Sequence, residues 1–372
     1  MQKADHLPKH LPKHLPKHLP KHLQGHPLCE TVQKNCDISD AHHAANYTLC
    51  VYLLKMREYY RWENGFSYND VLPKEDVGNW VQERESLWED IEDQKFLPLE
   101  IDGKEYDPFD TENINKALAP KGYVYSGGVG LRAAPHFFLA KLEEKEVYND
   151  FTMYVSADEC ARDLTAPPAM TQGKNVFIRR EALRRYLWEK FTEWQWHKYE
   201  NAMSRALSFY DFDNDIDQAL EQMTSNELEA VTLHEIGEFK ASQELGEQWR
   251  EMLITLPRSR AEFLARAVKD LLADCLSTLP GLLKNNNSAS LHFYAANLVA
   301  MRKELFPSFH AAYQVWVDTE DTQPLQSLIA KGAQHWTTLA KEMLNLYQKD
   351  KDINSDIIFL DKLETLVNDN AL

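Results

Sequence analysis

The sequence predicts a mainly helical, α+β protein, with a helical bundle in the C-terminal half and a small antiparallel β-sheet inserted in the middle. Long stretches with apolar residues at helical spacing run from Arg179 to the end of the chain. Short β-prone runs and glycine turns are confined to the middle. With 44% hydrophobic and 27% charged residues, the composition of the 372-residue chain is typical of a globular protein.

Changes of pattern along the chain predict four segments. The first holds four tandem copies of His-Leu-Pro-Lys, and a proline in every copy forbids a continuous helix, so we expect a disordered, low-complexity tail. The predicted segments are this tail (1–27), an N-terminal helical segment (28–98), a small β-containing segment (99–180) and the helical bundle (181–372).

In the N-terminal segment, we predict a helix from about Asp40 to Asn64. Asp37 and Ser39 precede it and are suitable N-cap residues, because their short side chains can accept hydrogen bonds from the first helical turn. A second helix is predicted between Pro73 and Phe96.

In the middle segment, the pair Asp102-Gly103 predicts a tight hairpin turn, since both residues tolerate positive φ angles. The glycines from Gly127 to Gly130 predict a turn after a short strand. Such a turn could cradle an anion, with Arg132 nearby, but it lacks the Lys-Ser/Thr of a phosphate loop. Further strands are predicted at 136–142, 147–155 and 175–178.

The C-terminal half predicts long helices joined by short connections, a pattern that favours antiparallel neighbours in a bundle. The predicted helices cover residues 180–207, 226–256, 259–278, 288–305, 309–317, 322–349 and 356–368.

Charge and cysteine content limit the class of partner. The net charge of -17 repels phosphate backbones and anionic lipid surfaces, so we expect neither nucleic acid nor a membrane as partner. No apolar run approaches the roughly 20 residues needed to span a bilayer. Five cysteines are an odd set in a large chain, which favours reduced thiols and a cytoplasmic location.

Histidines and carboxylates at helical spacing on the bundle helices predict a metal site. Three pairs stand three or four residues apart, so each pair can project from one helix face. Carboxylate bundles that bind two iron or two manganese ions draw their ligands from such pairs on successive helices. The predicted ligands of iron or manganese are His197, Glu200, His234, Glu238, Asp270, Asp274 and His292.

These residues predict a metal-dependent helical oxidoreductase, of the di-iron or di-manganese carboxylate type, acting on a small-molecule substrate. The alternative is a non-enzymatic binding or scaffold protein, because Glu-x-x-His does not occur twice and acids four apart also form ordinary ion pairs. Asp270 and Asp274 lie among apolar residues, where burial requires a partner, for which Lys269 or Arg266 is available.

A second metal site is predicted near the N-terminus as a further alternative. Thiolates combined with imidazole favour zinc or an iron–sulfur cluster, although the spacing here matches no standard zinc motif. The candidate ligands are Cys29, Cys36 and Cys50, with His42 or His43.

The stretch from Cys36 also carries a family resemblance. Cys-Asp-Ile-Ser-Asp-Ala, followed by Tyr-Thr-Leu-Cys and by Leu-Leu-Lys-Met-Arg-Glu-Tyr-Tyr-Arg-Trp-Glu, resembles the opening of the Sfum family of uncharacterised bacterial proteins. The resemblance continues through most of the chain from about Cys29. It implies a bacterial origin and brings no activity with it.

Overall fold

A computed structural model describes residues 26–129, 134–148, 150–196, 198–350 and 356–372. Residues 1–25 of the predicted tail lie outside the described residues, as do Gly130, Arg132 and His197. The chain is mainly helical, as predicted, and divides into two compact units. Unit 1 comprises Met1–Tyr148 and Tyr154–Pro167, and unit 2 comprises Asn149–Met153 and Pro168–Leu372.

In its described residues, unit 1 contains four α-helices and most of the β structure. The first helix packs against the third helix and against two strands, so it lies at the centre of this unit. The helices are α1 (Pro27–His43), α2 (Leu49–Asn64), α3 (Lys74–Ile91) and α4 (Thr111–Leu118).

The predicted single helix from Asp40 to Asn64 is wrong, because α1 ends at His43 and α2 begins at Leu49. A proline at the first helical position begins α1 at Pro27, thirteen residues before Asp40, because its fixed φ angle suits that position. Asp37 and Ser39 lie inside α1 rather than at a cap. Their side chains are used in tertiary contacts instead, with the Arg84 guanidinium and the Pro135 carbonyl respectively.

The predicted hairpin at Asp102-Gly103 is confirmed. Strands β1 (Leu99–Ile101) and β2 (Lys104–Tyr106) pair in antiparallel register, with Ile101 opposite Lys104. The φ angles of Asp102 (54°) and Gly103 (73°) are both positive, which is the backbone conformation that this turn requires.

The remaining β structure is larger than the predicted small insertion. In unit 1 the order of paired strands is β3-β4-β5, and in unit 2 strand β6 pairs with β7 in antiparallel register. The long strand β5 is mostly buried, so it lacks the alternation of polar and apolar residues that identifies a strand. The strands are β3 (Tyr123–Val129), β4 (Pro135–Val147), β5 (Thr152–Arg162), β6 (Ala169–Gln172) and β7 (Asn175–Arg179).

Gly127 belongs to β3 rather than to a turn. A Cβ at this position would lie 2.0 Å from the Pro108 carbonyl oxygen, so glycine is needed for close packing. The Gly127 backbone N–H donates to Thr111 Oγ1 at 3.0 Å. This amide is therefore already satisfied within unit 1, and the anion-binding interpretation loses the first of its donors.

Unit 2 is built around the long helices of the C-terminal half, with α9 packing against α7, α12, α14 and α15. Three of the predicted continuous helices, 180–207, 226–256 and 288–305, are interrupted. The break in the second of them falls at Gly246, whose φ of 73° ends α7. The helices are α5 (Arg180–Gln195), α6 (Ala202–Leu207), α7 (Ile216–Leu245), α8 (Glu247–Thr255), α9 (Arg260–Ala273), α10 (Leu279–Lys284), α11 (Ser288–Asn297), α12 (Ala300–Leu305), α13 (Pro307–Thr319), α14 (Gln323–Asp350) and α15 (Asp356–Asp369).

Across the described ranges, no helix combines the length and the apolar character that crossing a bilayer requires.

A buried ionic network joins α1, α2 and α3 of unit 1. Arg84 on α3 donates to Asp37 on α1 at 2.8 Å and to Glu63 on α2 at 2.5 Å, and all three side chains are almost fully buried. Trp80 Nε1 also donates to Glu63 at 3.1 Å. Burial raises the pKa of Glu63 to about 7, even though the charge of Arg84 opposes this increase.

We expect Arg84→Met to lower the free energy of unfolding by roughly 3–5 kcal/mol, because two buried carboxyl groups lose their cation. The loss should be smaller near pH 5 than near pH 8, since the orphaned carboxyls can be protonated at the lower pH. Urea unfolding followed by tryptophan fluorescence measures both. The matched control is Arg250→Met, because the Arg250–Glu247 ion pair is exposed and should contribute little. An equal effect of the two substitutions would contradict the network's importance.

Candidate functional site

The candidate site is centred on Asp274, where α9 passes into a π-helical segment (Asp274–Thr278). A π-helical turn inserted in this way often marks a functional position. The Asp274 side chain is about 1% exposed, so its carboxylate depends on protein partners rather than on water.

Four donors surround the Asp274 carboxylate. His234 Nδ1 lies 2.9 Å from Oδ1, and Thr278 Oγ1 donates to the same oxygen at 3.1 Å. Tyr294 Oη donates to Oδ2 at 2.9 Å, and Arg302 Nη1 donates to Oδ2 at 3.1 Å. The carboxylate therefore joins α7, the π-helical segment, α11 and α12.

This arrangement makes Asp274 and His234 an ion pair at neutral pH. Burial alone would raise the pKa of Asp274, but the hydrogen bond and charge of His234, together with Arg302, hold it below its ordinary value. Burial alone would lower the pKa of His234, but Asp274 outweighs that effect and raises it to about 9. The imidazole is therefore protonated at pH 7.

Gly237 allows the two helices to approach closely enough for this ion pair. A Cβ on Gly237 would lie 2.3 Å from the Ala273 carbonyl oxygen, at the residue directly before Asp274. Gly237 is one helical turn beyond His234 on α7. The absence of a side chain there therefore brings the imidazole within reach of the carboxylate.

Asp270 lies one turn before Asp274 on α9 and is only half-buried. Within the described parts of the chain, its carboxylate forms no hydrogen bond or ion pair, unlike that of Asp274. Burial and the negative charge of Glu238 raise the pKa of Asp270 to about 6, against the opposing charges of His234 and Arg302. A carboxyl group with this pKa is suited to proton transfer near neutral pH.

The other ring nitrogen of His234 completes the site. Because Nδ1 is bound to Asp274, Nε2 is the nitrogen that can act on another molecule. The His234 side chain is 31% exposed, whereas Asp274 beneath it is closed to solvent. A partly exposed imidazole oriented by a buried carboxylate is a common arrangement in acid–base catalysis.

The structure brings together four of the seven residues predicted as metal ligands, namely His234, Glu238, Asp270 and Asp274. They are close enough to affect each other's protonation, since Glu238, His234 and Asp274 all shift the pKa of Asp270. In this cluster, Glu238 accepts from Lys269 Nζ at 2.7 Å. Among the described residues, no group of three or more His, Cys, Asp or Glu is placed to hold a metal ion.

The remaining three predicted ligands do not join this cluster in the part of the chain that is described. His292 lies in a different contact, with its Nδ1 2.7 Å from Tyr313 Oη. Glu200 is exposed in the connection between α5 and α6. His197 lies outside the described residues, so its contribution stays a prediction.

The cysteines predicted to form the N-terminal metal site differ in exposure within unit 1. Cys50 is exposed, whereas Cys29 and Cys36 are buried. Cys36 Sγ donates to the Phe137 carbonyl oxygen at 3.2 Å, and the Cys29 thiol lies beside that of Cys160. Binding of zinc or an iron–sulfur cluster by these cysteines stays a prediction that this geometry does not favour.

The predicted partners of the two aspartates are wrong. Arg266 binds Glu262 at 2.8 Å and Lys269 binds Glu238, so neither pairs with Asp274. Besides His234 and Thr278, Asp274 binds Tyr294 and Arg302, neither of which was predicted from the sequence. The sequence does contain one signal for such partners, because a carboxyl group among apolar residues requires hydrogen-bond donors. The spacing of residues along the chain cannot show that these donors come from α11 and α12.

The fold and the site define a mainly helical protein of two units, in which the C-terminal unit buries a carboxylate–histidine pair. The chain belongs to the family of unknown function DUF6866. The model of the family's N-terminal domain matches residues 27–179, and that of its C-terminal domain matches residues 184–360. These matches do not confirm the resemblance to the Sfum family. Neither the curated proteins nor the solved structures include a match to this chain.

We expect nuclear magnetic resonance titration of His234 Cε1–Hε1 to give a midpoint of about 9. Asp274→Asn should lower it to below about 7.5, because the charge that favours the imidazolium is lost. The folded-state pKa exceeds the ordinary value of 6.5, so the pair's stabilisation is complete below that pH and is lost as pH rises through about 9. Tyr294→Phe is the control, since it keeps the Asp274 carboxylate. An unchanged midpoint in Asp274→Asn would show that the pair does not exist in solution.

We expect Gly237→Ala to destabilise unit 2 by roughly 1–3 kcal/mol and to lower the His234 titration midpoint. The new methyl group must push α7 away from the Ala273 carbonyl and lengthen the bond from His234 to Asp274. Chemical denaturation and the histidine titration measure the two effects. Gly78→Ala is the control, because Gly78 also lies in a helix and a Cβ at that position would meet nothing within 4 Å. That substitution should stabilise by up to about 1 kcal/mol, so a gain in both variants would refute the close approach.

Proposed function

We propose that unit 2 is an enzyme that uses His234 and Asp270 as a general acid–base pair on a small polar molecule. The observation that supports this proposal most directly is the bond between His234 Nδ1 and the buried Asp274 carboxylate, which leaves Nε2 for a substrate. Asp274 is a positioning residue here, because it acts through the imidazole. Tyr294 and Arg302 in turn hold the Asp274 carboxylate in place.

The roles follow from environments that push two pKa values apart. His234, with a pKa of about 9, donates a proton from Nε2, and Asp270, with a pKa of about 6, accepts one. Both groups hold the required protonation state between about pH 6 and pH 9. Below this range Asp270 becomes protonated, and above it His234 loses its proton. The reaction class is therefore proton transfer, as in isomerisation or elimination.

A second candidate is the metal-dependent oxidoreductase predicted from the sequence, with iron or manganese as cofactor. One observation favours it: Glu238 Oε1 is buried and has no hydrogen-bond partner among the described residues. Glu238, Asp270 and His234 Nε2 together offer the carboxylate and imidazole ligands that these metals accept. His234 would then be a ligand of the metal, and Asp274 would orient it through Nδ1, an arrangement that is usual for histidine ligands.

We further propose a cytoplasmic location and a small-molecule partner rather than a nucleic acid. The net charge of -17 opposes binding to phosphate backbones, and the five cysteines are free thiols, which suits a reducing compartment. The non-enzymatic scaffold remains the alternative and differs from the proposed enzyme in a measurable way, since a scaffold consumes no metabolite.

The test is incubation of the full chain with a metabolite extract, followed by mass spectrometry, with and without the chelator EDTA. We expect at least one metabolite to be consumed by wild type in the presence of EDTA. His234→Gln and Asp270→Asn should each reduce its consumption at least about 100-fold, because general acid–base catalysis contributes on that scale. Lys303→Met, an exposed substitution on α12, is the control and should behave as wild type.

The possible outcomes separate the candidates. Consumption that EDTA abolishes, and that added iron or manganese restores, would replace the acid–base proposal by the metal-dependent one. Consumption that persists in His234→Gln and in Asp270→Asn, or no consumption at all, would overturn the acid–base proposal.

A further inference from the structure

Unit 2 contains a second feature suited to a ligand, a cavity of about 600 Å³ beside His292. This volume falls within the range of small-molecule sites. Its lining residues come from α6, α10, α11 and α13 and from their connections, whereas the Asp274 cluster lies on α7, α9, α11 and α12. The proposed acid–base chemistry uses none of the cavity residues.

Aromatic rings form one wall of this cavity. The ring centroids of His292 and Trp316 are 4.7 Å apart, and those of Phe209 and His292 are 6.0 Å apart. Leu282 and Leu291, both buried, line the cavity as well. Phe209 is about 53% exposed although it is a large apolar side chain. These rings offer the stacking surface that a planar molecule needs.

Arg205 provides a fixed positive charge to the same cavity. Its guanidinium lies beside the Tyr313 hydroxyl and forms no ion pair with any carboxylate in the described residues. Glu320 also lines the cavity, but it is exposed at the end of α13 and does not pair with Arg205. A guanidinium carries five N–H donors, so most of those of Arg205 can bind a carboxylate.

His292 contributes as a neutral ring. Burial and the nearby charge of Arg205 lower the pKa of His292 to about 4. The Tyr313 hydroxyl is 2.7 Å from His292 Nδ1. With Arg205 on the oxygen side of this hydroxyl, its proton is directed to Nδ1, which leaves the imidazole's own proton on Nε2. His292 therefore adds a ring face and a donor, but no charge, at physiological pH.

We propose that this cavity binds a small planar aromatic carboxylate, with its rings against Trp316 and Phe209 and its carboxylate on Arg205. The aromatic wall is the reason to expect a planar ring. The Arg205 guanidinium, which has no ion-pair partner among the described residues, is the reason to expect a negative group. An uncharged analogue of the same shape would keep the stacking contacts and lose the bond to Arg205, so the two kinds of ligand can be told apart.

The test uses a panel of one-ring and two-ring aromatic carboxylic acids, each paired with its primary amide, at about 1 mM. Saturation-transfer magnetic resonance identifies binders, and calorimetry gives their dissociation constants. We expect at least one acid to bind more tightly than its amide. Arg205→Met should weaken that acid at least about tenfold, because a charge-assisted bond is lost, and leave the affinity of the amide almost unchanged.

Three further variants test whether binding occurs in this cavity. Trp316→Leu should weaken acid and amide alike, whereas Lys303→Met removes an exposed cation outside the cavity and should change neither. His234→Gln should bind the acid as wild type does, because His234 does not line the cavity. The ligand site can therefore exist even if the acid–base proposal fails. Circular dichroism establishes that each variant is folded. The proposal is overturned if no acid in the panel binds, or if Arg205→Met binds the acid as wild type does.

Discussion

The arrangement of unit 2 depends on one requirement, that the buried carboxylate of Asp274 be satisfied. An ionised carboxyl group without partners would cost several kcal/mol in such a place. The structure supplies an imidazole from α7, a tyrosine hydroxyl from α11 and a guanidinium from α12, in addition to Thr278 from the same π-helical segment. These elements have to meet around the end of α9 for the charge to be tolerated. The packing of the helices and the geometry of the site are therefore set by the same constraint.

The comparison of Asp270 with Asp274 shows how far environment separates two identical side chains. They are four residues apart and close to the same neighbours. The pKa of Asp274 is nevertheless lowered, whereas that of Asp270 is raised to about 6. Asp274 receives four donors, whereas Asp270 is half-buried and receives none from the described residues. Burial disfavours the charged form of both carboxyl groups, and hydrogen bonds reverse that effect for Asp274 alone. Two such groups next to a protonated imidazole provide a fixed charge and a titratable one.

Local signals in the sequence predicted local structure well. Asp102-Gly103 specified its hairpin, and the spacing of His234 with Glu238 and of Asp270 with Asp274 identified four residues that the fold brings together. Signals that depend on packing were not readable. The long buried strand β5 and the π-helical segment at Asp274 belong to this class, whereas the start of α1 at Pro27 follows from a local signal, the proline at its first position. Arg302 and Tyr294 could not be assigned because partners 20 or more residues away are chosen by the way helices pack. The close contact of Gly237 with Ala273 belongs to the same class.

Charge balance favours acid–base chemistry over metal binding at this cluster. A divalent ion is held by carboxylates that are available to it, but Asp274 is already bound by Arg302 and His234, and Glu238 is bound by Lys269. A metal on Glu238 Oε1 would share that carboxylate with Lys269, which binds Oε2, and would compete with the positive charge on His234. A proton donor and acceptor face no such competition, because His234 is held protonated and Asp270 has no competing partner in the described chain. The pairing that stabilises the helices thus leaves one imidazole nitrogen and one carboxylate for the proposed acid–base chemistry.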